Sequence, residues 1–149
     1  MADIDFITDL TDGTFKIALG ENPVEIIGNR ALVNRFELTF MTKSRTFILG
    51  DKYVTDNFGG NAQKFISQPQ VLNNLQSISA AIATAVDLTV QSMLNDQPGN
   101  IPDTEKLSSA ELISLDIVND MINAIIQIVP VETESYDILK LNLPITRYE

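Results

Sequence analysis

Asp3, Asp5, Asp9 and Asp12 are the first residues along the chain that could do chemistry, gathered in the stretch DIDFITDLTDG. Four carboxylates suggest a calcium loop. Their spacing lacks the alternating ligand positions of such a loop and its closing glutamate. A solvated N-terminal arm over residues 1–12 is the expectation. The glycine-bearing stretches LGENP and FGGN lack the Lys-Ser/Thr of a phosphate-binding loop. The chain has no cysteine and no histidine, which removes thiol nucleophiles, disulfides, ordinary zinc sites and the commonest general base together. No carboxylate pair stands out as an acid–base couple. The residues therefore predict a protein that is not an enzyme and that takes no cofactor and no metal.

What stands out instead is the placement of positive charge. Arg30, Arg35, Lys43, Arg45 and Lys52 put five of the ten lysines and arginines into residues 30–52 of a chain whose net charge is −10. One reading is a solvated helix face followed by charged turns. The sharper reading is a basic patch that contacts an acidic partner or a neighbouring copy. The overall acidity argues against nucleic acid or an anionic membrane as a partner, since both need clustered cations.

The elements that must carry these residues are legible in the periodicities. With 149 residues and 44 % hydrophobic content, the chain can bury the core of one domain spanning 1–149. Phe15, Ile17 and Leu19 alternate with Lys16 and Ala18 as in a half-buried strand. Asp12-Gly13 supplies a turn back to Ile4 and Phe6, and Val24 to Ile27 forms a second short apolar run. From Asn29, taken as an N-cap, Leu32, Val33, Phe36 and Phe40 make one helical stripe, with Lys43 and Arg45 at its carbonyl end. Residues 40–60 fit neither a clean helix nor a clean strand.

A second helix is predicted over 70–94. Val71, Leu75, Ile78, Ile82, Ala85, Thr89 and Met93 line its core face, and Ser67 and Gln70 form a capping box. The longest uncharged span, Phe65 to Val86, carries Gln, Asn and Ser throughout and reads as a core helix, not a membrane span. The N-terminus shows neither a basic leader nor a long apolar run, so folding in a cytoplasm is expected. Beyond residue 108 the period becomes two. Ile113, Leu115 and Ile117, then Ala124, Ile126 and Ile128, then Leu139, Leu141, Leu143 and Ile145 predict three strands, with a turn at Asn119-Asp120. One helix over 109–128 is the competing reading. The fold expected is α+β: N-terminal strands, two helices and a C-terminal antiparallel three-stranded meander packed on the long helix.

The stretch GNRALVNRFELTFMTKSRTFILGDKYVTDNFGG resembles the signature of the contractile-tail baseplate wedge family, also called the tail-sheath initiators. The similarity rests on Gly28-Asn29-Arg30-Ala31-Leu32, on Phe40-Met41-Thr42-Lys43, and on Tyr53 and Phe58-Gly59. The element order then runs on to the ending LNLPITRY. Where the family carries Glu-Pro-Arg between helix and sheet, this chain reads IPDTEKLSS, which marks a divergent member.

The resemblance implies a virion protein of the tail baseplate, assembled in the host cytoplasm. Its implied partners are the tail sheath protein, baseplate wedge proteins, tail tube and hub proteins, and neighbouring copies around a six-fold axis. The implied mechanism is strand addition, in which Ile138, Leu139, Lys140, Leu141, Asn142, Leu143, Pro144 and Ile145 offer a sheet edge to an extended arm of a sheath subunit. Another ring-forming phage adaptor, such as a tail terminator or head–tail connector, is the alternative. A small ligand-binding domain is the third.

Overall fold

The structure is a computed structural model that describes residues 3–4, 7–9, 15–17, 25–26, 28–56, 58–66, 71, 74–132 and 137–145. Four short strands come first: β1 (Asp3–Ile4), β2 (Ile7–Asp9), β3 (Phe15–Ile17) and β4 (Glu25–Ile26). β1 pairs with β4, and β2 with β3, both antiparallel. The early hairpin thus forms with Ile7–Asp9 against β3, Ile7 opposite Ile17, while Ile4 pairs with Glu25 of β4; Phe6 lies outside the described residues. The Asp12-Gly13 turn lies outside the described residues.

Helix α1 spans Asn29–Met41 and buries Leu32, Phe36 and Phe40 of the predicted stripe, with Val33 half-buried beside them. Phe36 and Phe40 stack with ring centroids 6.3 Å apart. Asn29 does not cap this helix. Gly28 takes the N-cap position with φ of 67°, a backbone conformation that only glycine adopts at little cost. At the other end the last turn holds no basic residue, because the helix stops at Met41, before Lys43 and Arg45. Two strands follow, β5 (Thr46–Leu49) and β6 (Lys52–Thr55), paired as a hairpin in register from Thr46 opposite Thr55 to Leu49 opposite Lys52. The two-residue loop has positive φ at Gly50 and not at Asp51, the II′ arrangement whose twist suits a hairpin.

A short helix, α2 (Ala62–Ile66), was not expected from the sequence. It precedes the long helix α3 (Leu75–Asp96). α3 starts later than predicted and ends later. Asn74 caps it by accepting from the Ser77 N–H at 2.7 Å, and Val71 lies in a turn before it. The proposed capping box at Ser67 and Gln70 lies outside the described residues. Ile78, Ile82, Ala85, Val86, Thr89 and Met93 are buried as the stripe requires, but Leu75, expected on the same face, sits in the first turn and is 51 % exposed. α3 is long and apolar enough to cross a membrane by length and composition. In this fold its apolar face joins Phe36 and Phe40 from α1 and Ile126 and Leu141 from the sheet in one core.

The C-terminal sheet has the order β7-β8-β9, with β7 (Leu107–Val118), β8 (Met121–Pro130) and β9 (Asp137–Pro144) all antiparallel. This is the predicted meander, and it excludes a helix over 109–128. Asn119 and Asp120 form its first turn with φ of 53° and 59°, the two positive values of a type I′ turn. β8 alternates cleanly, burying Ile122, Ala124, Ile126 and Ile128. β7 departs from the expected face. Register shifts between Leu107 and Ser109 and between Leu112 and Ser114 insert two bulges. Each extra residue reverses which side chains point inward. Leu112 and Leu115 therefore pack on the core while Ile113, predicted to share a face with Leu115, is 53 % exposed.

Candidate functional site

Three features of the surface hold the residues that the sequence singles out: the β5–β6 hairpin, a cleft beside Glu105, and the β9 edge of the sheet. The hairpin grows from a tightly bonded base. The Asn61 side chain takes the Ser44 N–H at 2.7 Å through Oδ1 and donates from Nδ2 to Ser44 Oγ at 2.9 Å and to the Gly59 carbonyl at 3.2 Å. Asp56 Oδ1 accepts the Arg45 N–H at 2.7 Å, and the Asp56 N–H returns to the Arg45 carbonyl at 2.9 Å.

Gly59 and Gly60 fasten this base to the core. The Gly59 N–H donates to Ser92 Oγ at 3.0 Å, and the Gly60 N–H donates to the Thr39 carbonyl at 2.9 Å. A Cβ on Gly60 would collide with Thr89 Oγ1 and lie 2.7 Å from the Phe40 carbonyl oxygen. The two glycines are therefore required by close backbone approach, which accounts for the aromatic-and-glycine ending that has no phosphate-loop pattern. Beyond the base the hairpin is exposed. Ile48, Leu49 and Tyr53 have 67, 67 and 79 % of their surface accessible.

The five cations of the proposed basic patch are not brought together. Arg30 and Lys43 lie at opposite ends of α1, about 20 Å apart at 1.5 Å of rise per residue. Arg35 is drawn inward, where its guanidinium meets Glu105 Oε2 at 3.1 Å. Lys43 and Arg45 lie at the foot of the hairpin and Lys52 beside its turn, all exposed. The patch that the sequence suggested as one surface is thus a partly buried ion pair, a cation at the start of α1, two cations at the foot of the hairpin and one beside its turn.

Glu105 is the residue that sequence reading missed. It is 5 % exposed, and besides Arg35 it accepts the Gly28 N–H at 3.1 Å through Oε1. It therefore serves as the cap that α1 lacks locally, placing a carboxylate at the positive end of the helix. Gln97 holds the same loop by bridging both the N–H (2.8 Å) and the carbonyl (3.2 Å) of Leu107. Between this loop, α1 and the end of α3 opens a pocket of about 600 Å³, walled by Leu38, Phe58, Met93, Pro98 and Ile101. Its charged lining is Arg35, Glu105 and Asp96.

At the third feature the register defines which backbone groups face outward. The Ile145 N–H donates to the Asp120 carbonyl at 2.8 Å, which makes these two a hydrogen-bonded pair. With no shift along the ladder, such pairs recur at every second residue: Leu143, Leu141 and Leu139 bond to β8. Ile138, Lys140, Asn142 and Pro144 then direct their backbone groups away from β8. Leu139, Leu141 and Leu143 are buried, while Ile138, Lys140 and Pro144 are exposed. Pro144, which has no N–H, falls at an outward position, where no ladder bond to β8 is lost. No family model, no curated protein and no solved structure matches the chain.

Proposed function

We propose that this chain is a non-catalytic structural component of a contractile-tail baseplate, and that it nucleates the sheath by lending β9 to an extended arm of the first sheath subunits. In this reading it contacts wedge, tube and hub proteins and neighbouring copies in the virion baseplate. The observation that carries the reading is the parity of β9. Its leucines bind the strand to the core and fix its register, while the Lys140 N–H, at an outward position, faces sideways from the sheet. Strand addition uses outward backbone donors and acceptors of this kind, with side chains setting register. The other sheet edge, β7, is less suited, because its two bulges interrupt the regular spacing that a partner strand must match.

A ring-forming adaptor such as a tail terminator or head–tail connector is the second reading, supported by the projecting hairpin, which suits contacts around a ring. Gene order separates the two. Sheath, tube and wedge genes alongside favour the baseplate, and portal and capsid genes favour the adaptor. The functional test is Lys140→Pro. It removes one outward donor and no bond to β8, so the purified protein should unfold at nearly the wild-type urea midpoint while sheath polymerisation on baseplates drops sharply. Normal sheath growth on a folded Lys140→Pro protein would contradict strand addition at β9.

A further inference from the structure

We infer that the pocket beside Glu105 is a binding site for a small protonated amine with an apolar skeleton, its ammonium held at Asp96 and the carbonyl end of α3. The inference goes beyond the structural role proposed above. Neither β9 nor a protein partner enters it.

The size and lining of the pocket point to a small apolar molecule. Its volume of about 600 Å³ is that of an ordinary ligand cavity. Two of its wall side chains, Leu38 and Phe58, remain 44 and 37 % exposed. A ligand there covers apolar surface that the chain's own packing leaves to water. The polar groups among the walls are largely committed already. Arg35 pairs with Glu105, the Gln97 amide spans the N–H and carbonyl of Leu107, and the Thr42 hydroxyl donates to the Leu38 carbonyl at 2.6 Å. A strongly polar molecule would lose its water and gain few bonds in return, so an apolar skeleton fits better.

The electrostatics set the sign of the ligand's charge. With Arg35 and Glu105 opposed, Asp96 is the remaining charge of the lining, and among the described residues no cation pairs with it. Asp96 is also the last residue of α3. The free carbonyls of a helix end carry partial negative charge, so a carboxylate is unfavourable there and a cation is favoured. The last turn of α3 holds no basic side chain to offset this. An ammonium at that place meets the carboxylate and the helix end together, while its skeleton lies against the apolar walls. The net charge of −10 further favours the approach of a cation over that of an anion.

An NMR titration of the full chain with phenethylamine tests the inference, with neutral phenethyl alcohol and anionic phenylacetate as probes of similar skeleton. The amine is protonated at neutral pH, as a lysine side chain is. It should shift the amides of Leu38, Phe58, Asp96 and Ile101 saturably. The alcohol should bind roughly three- to five-fold more weakly, the scale of one exposed ion pair, and phenylacetate more weakly still. Asp96→Asn should lower the affinity for the amine to that for the alcohol and leave the alcohol unaffected. Asp96 is exposed, and its replacement relieves negative charge at the helix end. The variant should therefore unfold no earlier than the wild type, which separates loss of binding from loss of fold. Lys140→Pro should bind the amine as the wild type does, so this test and the sheath test fail independently. Absence of saturable shifts at these amides with millimolar amine would overturn the inference. So would equal affinity for the three probes, or an Asp96→Asn protein that binds the amine unchanged.

Discussion

Glu105 shows how one side chain can decide the placement of a helix. Its carboxylate sits almost without solvent, takes the Gly28 N–H, and pairs with Arg35 one helical stretch further on. Removing it leaves a backbone donor and a half-buried guanidinium without their acceptor. Arg35 keeps 28 % side-chain exposure, so water compensates part of the loss. We expect Glu105→Ala to cost about 2–3 kcal/mol in urea unfolding. Glu105→Gln should cost less, because an amide oxygen can still accept from Gly28. Equal stability of the alanine variant and the wild type would show that the contact contributes nothing. Nothing local marked this residue. It lies 77 positions from Gly28 and 70 from Arg35, in a stretch that reads only as a polar turn. Such a pairing exists only once the sheet and helices have brought the two segments together.

At the scale of elements, legibility followed length and regularity. α3 and the meander were readable because each repeats one period over many residues, so a single irregular position does not erase the signal. β5 and β6 have four residues each, too few to establish a period, and their exposure on both faces removes the alternation that marks a half-buried strand. Bulges defeated the reading of β7, since a strict period of two cannot anticipate an inserted residue. The start of α3 was misplaced because Val71 continues the apolar spacing by chance while the Asn74 side chain ends the turn and begins the helix. The core face of α3 is the firmest consequence. Ile82 is fully buried among α1, α3 and the sheet. Ile82→Asp would bury a charge with no partner and should cost several kcal/mol, on the order of 4, seen as a large fall in the urea midpoint. A soluble Ile82→Asp protein of unchanged stability would displace α3 from the core.

For the whole molecule, two surfaces stand out on an acidic chain that has no cysteine and no histidine. The hairpin exposes Ile48, Leu49 and Tyr53, and the sheet turns the Lys140 N–H of β9 away from β8. The sequence located β9 correctly as a strand with inward leucines, but it could not assign outward and inward N–H groups, which required the register with β8. That assignment makes the central claim measurable at single amides. Hydrogen exchange by NMR should find the Lys140 amide fast in the isolated protein and the Leu141 amide, bonded to β8, slow. Adding the terminal arm of the sheath subunit should slow Lys140 by an order of magnitude or more while leaving Leu141 nearly unchanged. A Lys140 amide that exchanges equally fast with the arm present would contradict pairing of the sheath with β9.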